Sequence, residues 1–308
     1  MKSTTAILVL FFMCSINISK GIIPNEQGFV PVKGGNLFYE IIGEGEPLVI
    51  VHGGPGLDHT YFLPQMEVLA GKYRLIFYDQ RACGKSSIKV DSSLISMDQF
   101  VEDLESLRKF FKLEKMSLFG HSFGGLIAMR YAIKYPENLK SLLLVNSTAS
   151  TSAWRDSSFK LMDQRKDEET MQKSEALMKT QAFKNRDPDT MAYFFRLLFK
   201  KSFFNPTKVN ELTFSFEPTY PETSKLMNYL FNDSSLTTYD LNPLLSKLNV
   251  PVLIIGSEAD IISPLAVDEL HQTIKSSTYV MLESCGHFPF IEQPEMFLKA
   301  IDKFFAKL

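Results

Sequence analysis

Gly120-His121-Ser122-Phe123-Gly124 decides the reading of this chain. The five residues spell G-x-S-x-G, directly behind an apolar run and directly ahead of a helical one. A strand–turn–helix with this motif is a nucleophile elbow, a sharp turn that holds a serine Oγ out at the top of a sheet. Small neighbours are required there, because the serine backbone is strained and larger side chains would clash with it. On this reading Ser122 is a nucleophile.

A serine hydroxyl is a poor nucleophile at neutral pH. It needs a base, a group that orients the base, and donors for the oxyanion. In an elbow architecture the partners follow in the order serine, acid, histidine. Val252 to Gly256 reads as a strand, and Ser257-Glu258-Ala259-Asp260 as the loop after it. Asp260 is the expected acid, with Glu258 as the alternative. His287 lies on a loop after the last expected strand, whereas His52, His59 and His121 precede the acid and His271 falls mid-helix. The expected triad is therefore Ser122, Asp260 and His287. The oxyanion donors should be the N–H of Phe123 and an N–H from His52-Gly53-Gly54-Pro55-Gly56. Gly54 is the expected second donor, since glycines let a backbone approach its substrate closely.

Around these motifs, strands and helices alternate. Strands are expected at Leu37–Ile42, Pro47–His52, Tyr73–Tyr78, Lys115–Gly120, Leu139–Val145, Val250–Gly256 and Thr278–Leu282. Several are near-continuous apolar runs, as strands covered on both faces should be. Ser96-Met97-Asp98-Gln99 has capping-box spacing, and Phe100, Leu104, Leu107 and Phe111 then repeat at helical intervals. The alternation stops between about 150 and 240, where the chain is charged, Met- and Phe-rich and helical in period. This segment is expected to be a helical cap between two strands. Met191 to Phe204 is apolar nearly all round, which suits a helix buried between cap and core with some rings facing a pocket.

The chain has 308 residues, 45% hydrophobic and 22% charged, with net charge −2. That is the composition of a globular enzyme, and the absence of a basic block argues against nucleic acid as a partner. Lys2 followed by the apolar run Ala6–Ile16 reads as an export signal over residues 1–20, too short to span a bilayer. The expected organisation is 1–20 signal peptide, 21–149 and 241–308 core, and 150–240 cap. Export to a periplasm or outside the cell follows, with no stable membrane span after signal removal. Of the three cysteines, Cys83 and Cys285 remain after Cys14 is lost with the signal; both fall on loops expected near the site, where bulky thiol reagents should reduce activity.

His52-Gly53-Gly54-Pro55-Gly56, then Asp79-Gln80-Arg81-Ala82-Cys83-Gly84-Lys85-Ser86, then Gly120 to Gly125, resemble the signature set of α/β-hydrolases of the proline iminopeptidase family. The resemblance covers about 28–149 and 250–308. It implies an α/β fold with a mostly parallel eight-stranded sheet and a helical cap inserted after the sixth strand, with no metal and no cofactor. It also implies release of an N-terminal residue, often proline, from short peptides. The chain departs from the pattern in three places. Ala82 stands where the family's loop has glycine. Ile261 follows the expected acid, where some members carry a second acid. Asn228-Tyr229-Leu230 stands where an amine-binding Glu is expected. Glu211, Glu217 and Glu222 are the candidate substitutes, with Tyr229 beside them. Two further readings follow: an esterase or lactonase-type hydrolase of small apolar carbonyl compounds without free-amine recognition, and a non-catalytic binding protein on the same fold.

Overall fold

The computed structural model describes residues 26–88, 91–165 and 167–308. The expected signal segment and Cys14 lie outside the described residues. Among those described, no helix is long and apolar enough to cross a membrane.

Eight long strands form one sheet: β1 Glu26–Val32, β2 Gly35–Ile42, β3 Glu46–Val51, β4 Tyr73–Tyr78, β5 Met116–His121, β6 Leu139–Val145, β7 Val252–Ser257 and β8 Ser277–Leu282. Their spatial order is β1-β2-β4-β3-β5-β6-β7-β8, and a two-residue strand, Ser87–Ile88, pairs with β2. β2 runs antiparallel to both its long neighbours, and every pairing from β4 to β8 is parallel. The expected strands are present. β1 is the addition: only Val30 of its seven residues is buried, Phe29 is exposed, and Pro31 is its next-to-last residue. An edge strand tolerates proline and needs no apolar alternation, so it carries little periodic signal.

Side chains alternate across the sheet. Val49 and Val51 of β3 join one core, and Leu48 and Ile50 the other. The first core is covered by α1 (Met97–Phe110) and α2 (Phe123–Lys134), with Phe100, Leu104 and Leu107 of α1 pointing inward at the expected spacing. Ser96 Oγ accepts the Gln99 N–H at 3.3 Å, a cap that stabilises a helix by about 1 kcal/mol.

Between β6 and β7 the chain carries four longer helices: α3 Arg155–Gln164, α4 Glu168–Met178, α5 Pro188–Phe199 and α6 Tyr220–Phe231. The two ends of this insertion meet. Thr151 bridges Asp240, Ser152 N–H donates to Tyr239 O at 2.9 Å, and Leu241 N–H donates to Ser150 O at 2.9 Å. We propose this neck as the boundary between cap and core. After β7, α7 (Pro264–Thr273) covers the first face and α8 (Pro294–Phe305) the second.

Candidate active site

The parallel strands all end at one edge of the sheet, and the expected site residues lie just past those ends, where open α/β sheets place ligands. Ser122 follows β5. Its φ of 53° and ψ of −124° lie in a region that strains any side chain but glycine, at roughly 1–3 kcal/mol. The turn is pinned by Thr148 N–H to Ser122 O at 3.0 Å and Ser122 N–H to Val145 O at 3.2 Å. A side chain on Gly124 would press into the carbonyls of Val51 and His52. The second glycine of the motif is therefore needed because α2 crosses β3 almost in contact.

Ser122 Oγ–H donates to His287 Nε2 at 2.9 Å, and His287 Nδ1–H donates to Asp260 Oδ1 at 2.6 Å. Asp260 and His287 are each 1% exposed. Asp260 Oδ1 also accepts the Ile261 N–H at 2.6 Å. Glu258, the alternative acid, is exposed and accepts the Ser284 N–H instead.

Asn146, at the end of β6, was not singled out by the sequence. Its Nδ2 donates to Asp260 Oδ2 at 2.7 Å and to Gly286 O at 3.1 Å. One buried amide thus ties the carboxylate to the histidine's loop. A polar residue directly after a buried strand is its only sequence signal.

Gly54 lines the cavity above Ser122 with a φ of 135°, which L side chains rarely adopt. Phe123 is the first residue of α2, where amide N–H groups are not claimed by the helix. A buried relay positions this loop. Gly53 N–H donates to Tyr61 Oη at 2.6 Å, Tyr61 Oη lies 2.8 Å from His121 Nδ1, and His121 Nε2 lies 2.8 Å from His287 O. A carbonyl only accepts, so His121 carries its proton on Nε2 and accepts a hydrogen bond from the Tyr61 hydroxyl at Nδ1. Burial, then the neighbouring His287, holds His121 well below the usual range, consistent with a neutral ring. Neither Tyr61 nor His121 was expected in the site.

The Asp79-Gln80-Arg81 segment braces the same loop from behind. Gln80 Nε2 donates to His52 O at 2.6 Å, and Arg81 pairs through two hydrogen bonds with Asp103 of α1. His59 Nδ1 meets Asp79 Oδ1 at 2.6 Å, with Glu40 3.7 Å from its other nitrogen. Burial alone would push His59 down, but these carboxylates outweigh it and hold His59 up at about 10. Asp58, desolvated and beside Asp79, is pushed up to about 7. Asp58, His59 and Asp79 are close enough to hold a metal ion. A charged His59 would have to give up its proton first. Ala82, in the place of the family's glycine, has a φ of 57°.

The cavity over Ser122 has a volume of about 230 Å³ and is bounded on the cap side by Met162, Phe195, Leu198 and Phe199. Met191 to Phe204 is therefore split as expected: Met191, Ala192 and Leu197 are buried, while Phe195 and Phe199 face the cavity. No Asp or Glu is among the lining residues. Glu211, Glu217, Glu222 and Tyr229 are also absent from that lining. Glu211 ends an exposed turn, and Glu217 is only half-buried, ahead of α6. α6 buries Tyr220, Leu226, Met227 and Leu230, which leaves Glu222 and Tyr229 on its outer side.

Cys83 and Cys285 are free and buried at 2% and 0% exposure. Burial pushes the Cys285 thiol up to about 12 and raises Cys83 as well. The expectation that thiol reagents crowd the site is thus corrected: both loops lie near the site, but both sulfurs point into packed protein.

The cap also holds the histidine loop. Glu292 accepts N–H groups from Gly286 at 2.6 Å, Asn205 at 2.8 Å and Phe204 at 3.2 Å, and His287 N–H donates to Ser202 O at 2.7 Å.

Residues 46–294 match the family model described as alpha/beta hydrolase fold. The chain is 30% identical over 299 residues to a proline iminopeptidase of Lactobacillus helveticus, covering 90% of this chain and 96% of the relative. It is 30% identical over 290 residues to a proline iminopeptidase of Saccharolobus solfataricus, covering 91% and 92%. The crystal structure of a Mycobacterium smegmatis proline iminopeptidase superposes with a TM-score of 0.67 at 21% identity, over 92% of this chain and 98% of that one. The chain belongs to the α/β-hydrolase family, among its proline iminopeptidase-like members.

Proposed function

We propose that this protein is a serine hydrolase that cleaves small amide or ester substrates with an apolar acyl group through an acyl-enzyme on Ser122. The observation that carries the reading is the unbroken Oγ–Nε2, Nδ1–Oδ1 chain of Ser122, His287 and Asp260 at the floor of an apolar cavity. Ser122 Oγ attacks the carbonyl carbon while its proton passes to His287 Nε2. Asp260 holds the imidazole in the tautomer that can accept it and stabilises the imidazolium. The developing oxyanion is taken by the N–H groups of Gly54 and Phe123; losing one such donor typically lowers kcat by about 10²–10³. His287 then protonates the leaving group, and water repeats the steps in reverse to release the acid.

For the substrate, the relatives support an N-terminal prolyl or other apolar residue of a short peptide. One observation favours a second reading. The cavity lining has no carboxylate, and burying a free ammonium without a partner costs several kcal/mol. A neutral ester, amide or lactone has no such requirement. A paired assay separates the two: a prolyl arylamide, its N-acetylated form and a short-chain nitrophenyl ester, with Ser122→Ala as control. Cleavage of the free-amine compound alone supports the peptidase. Ester turnover without arylamide cleavage supports the second reading. Undiminished turnover by Ser122→Ala would sink both, since loss of such a serine typically costs about 10⁶ in kcat. Export rests on residues 1–20 alone, and N-terminal sequencing of the mature chain tests it.

A further inference from the structure

A second cavity lies beside the first along α5. It has a volume of about 270 Å³ and is bounded by Met171 and Met178 of α4 and by Phe194 and Leu197 of α5. The two cavities read adjacent stripes of α5 and of the 3-10 turn, Lys200–Ser202, that continues it. Phe195, Leu198, Phe199 and Ser202 face the catalytic cavity, at intervals of three, four and seven. Phe194, Leu197, Leu198 and Lys201 face the second at the same intervals. Residues so spaced share a helix face. Leu198 belongs to both stripes. On the neighbouring helix, Met162 of α3 lines the catalytic cavity, and Arg165, just past the end of α3, lines the second.

We propose that the second cavity is an acyl-tail subsite, and that Leu198 is the partition that sets how long an acyl chain the enzyme accepts. The inference rests on the acyl-enzyme reading of Ser122 and adds a substrate class to it: unbranched, uncharged acyl groups long enough to pass Leu198. The lining favours an apolar tail. Among the described residues that line the second cavity, Arg165 and Lys201 are matched by Asp167 and Glu175, two charges of each sign, beside the apolar Met171, Met178, Phe194, Leu197 and Leu198. Leu198 is only partly buried, and a partly exposed leucine exchanges staggered rotamers readily. Because Leu198 lines both spaces, its rotamer is the proposed gate between them. Met171 is 44% exposed, so a bulkier side chain there fills the second cavity without invading the core.

The test is the ratio of kcat/KM for nitrophenyl decanoate to that for nitrophenyl acetate, measured on the full chain. A ratio is insensitive to partial loss of folded enzyme. Leu198→Ala is expected to raise it about tenfold or more, and Met171→Trp to lower it by a similar factor, on the scale by which apolar pockets discriminate chain length. Binding of sodium decanoate to Ser122→Ala, read by calorimetry, probes the subsite without turnover. Adding Met171→Trp should weaken that binding about tenfold. Ratios within twofold of the parent in both variants, with decanoate binding unmoved by Met171→Trp, would overturn the proposal. Failure of the acetate ester, or its survival in Ser122→Ala, would instead refute the acyl-enzyme reading, while the decanoate measurement still decides the subsite.

Discussion

Replacing Asn146 tests whether the acid is held from behind. Its Nδ2 supports Asp260 Oδ2 at 2.7 Å and Gly286 O at 3.1 Å, and the residue is fully buried. Asn146→Ala removes a hydrogen bond to a buried carboxylate, worth roughly 1.5–3 kcal/mol, and leaves a buried carbonyl without that donor, at about 1 kcal/mol more. It also places alanine at a φ of 43°, which adds about 1 kcal/mol of strain. The total loss of stability should be about 4 kcal/mol. Asn146→Gly loses the same bonds without the strain and should be about 1 kcal/mol milder. Asn146 does not line the cavity, so the kinetic effect should fall on kcat. If a loosened Asp260 forfeits about 2 kcal/mol of transition-state stabilisation, kcat drops about 30-fold with KM little changed. Urea unfolding separates the strain term, and steady-state kinetics of the glycine variant reads the positioning term. A kcat within threefold of the parent in Asn146→Gly would refute the idea that this amide positions the acid.

Four further outcomes are expected. Tyr61→Phe strips the buried Gly53 N–H of its acceptor, at roughly 1–3 kcal/mol; kcat should fall about tenfold or more, and an unchanged kcat would show that the oxyanion loop does not depend on the relay. Asp58 is pushed up to about 7 in the fold from 3.8, so the folded state binds its proton more tightly and stability falls as pH rises from about 4 to 7. Asp58→Asn keeps the oxygen that caps Thr60 N–H and removes that charge; its gain in Tm should be larger at pH 8 than at pH 4.5, and an equal gain at both would contradict the shift. Ala82→Gly relieves a left-handed alanine and should stabilise by about 1 kcal/mol in urea, so a clear loss would mean that its methyl packs better than its backbone strains. Cys83 and Cys285 should stay unlabelled by a thiol reagent until denaturant is added, as peptide mapping reads; rapid labelling of either in the folded enzyme would contradict its burial.

Much of the fold was legible because parallel strands buried on both faces leave near-continuous apolar runs. Tyr73–Tyr78 and Leu139–Val145 are bounded in the structure at the residues where those runs begin and end. Ser122, Asp260 and His287 were brought together by chain order and loop position, and the structure places them within hydrogen-bond reach. Other features depend on direction in space, which periodicity does not carry. Asn146 reads as any polar residue after a strand until β7 and the histidine loop arrive beside it. Glu222 and Tyr229 sit on a recognisable helix, but only packing reveals that α6 turns Leu226 and Leu230 inward and those two outward. The cysteines show the same limit in depth: a loop near the site can still aim its side chain at the core.

Glu292 gives the cap a meaning beyond shape. One carboxylate gathers amides from the cap's base and from the loop that carries His287, and Ser202 takes another. The insertion is therefore not a removable cassette. A core expressed without it would lack the lintel from which its proposed base hangs, and a cap grafted from a relative must bring backbone that meets Glu292 in the same places. Because 202–205 is bonded to that loop, a displacement of this stretch would carry His287 with it.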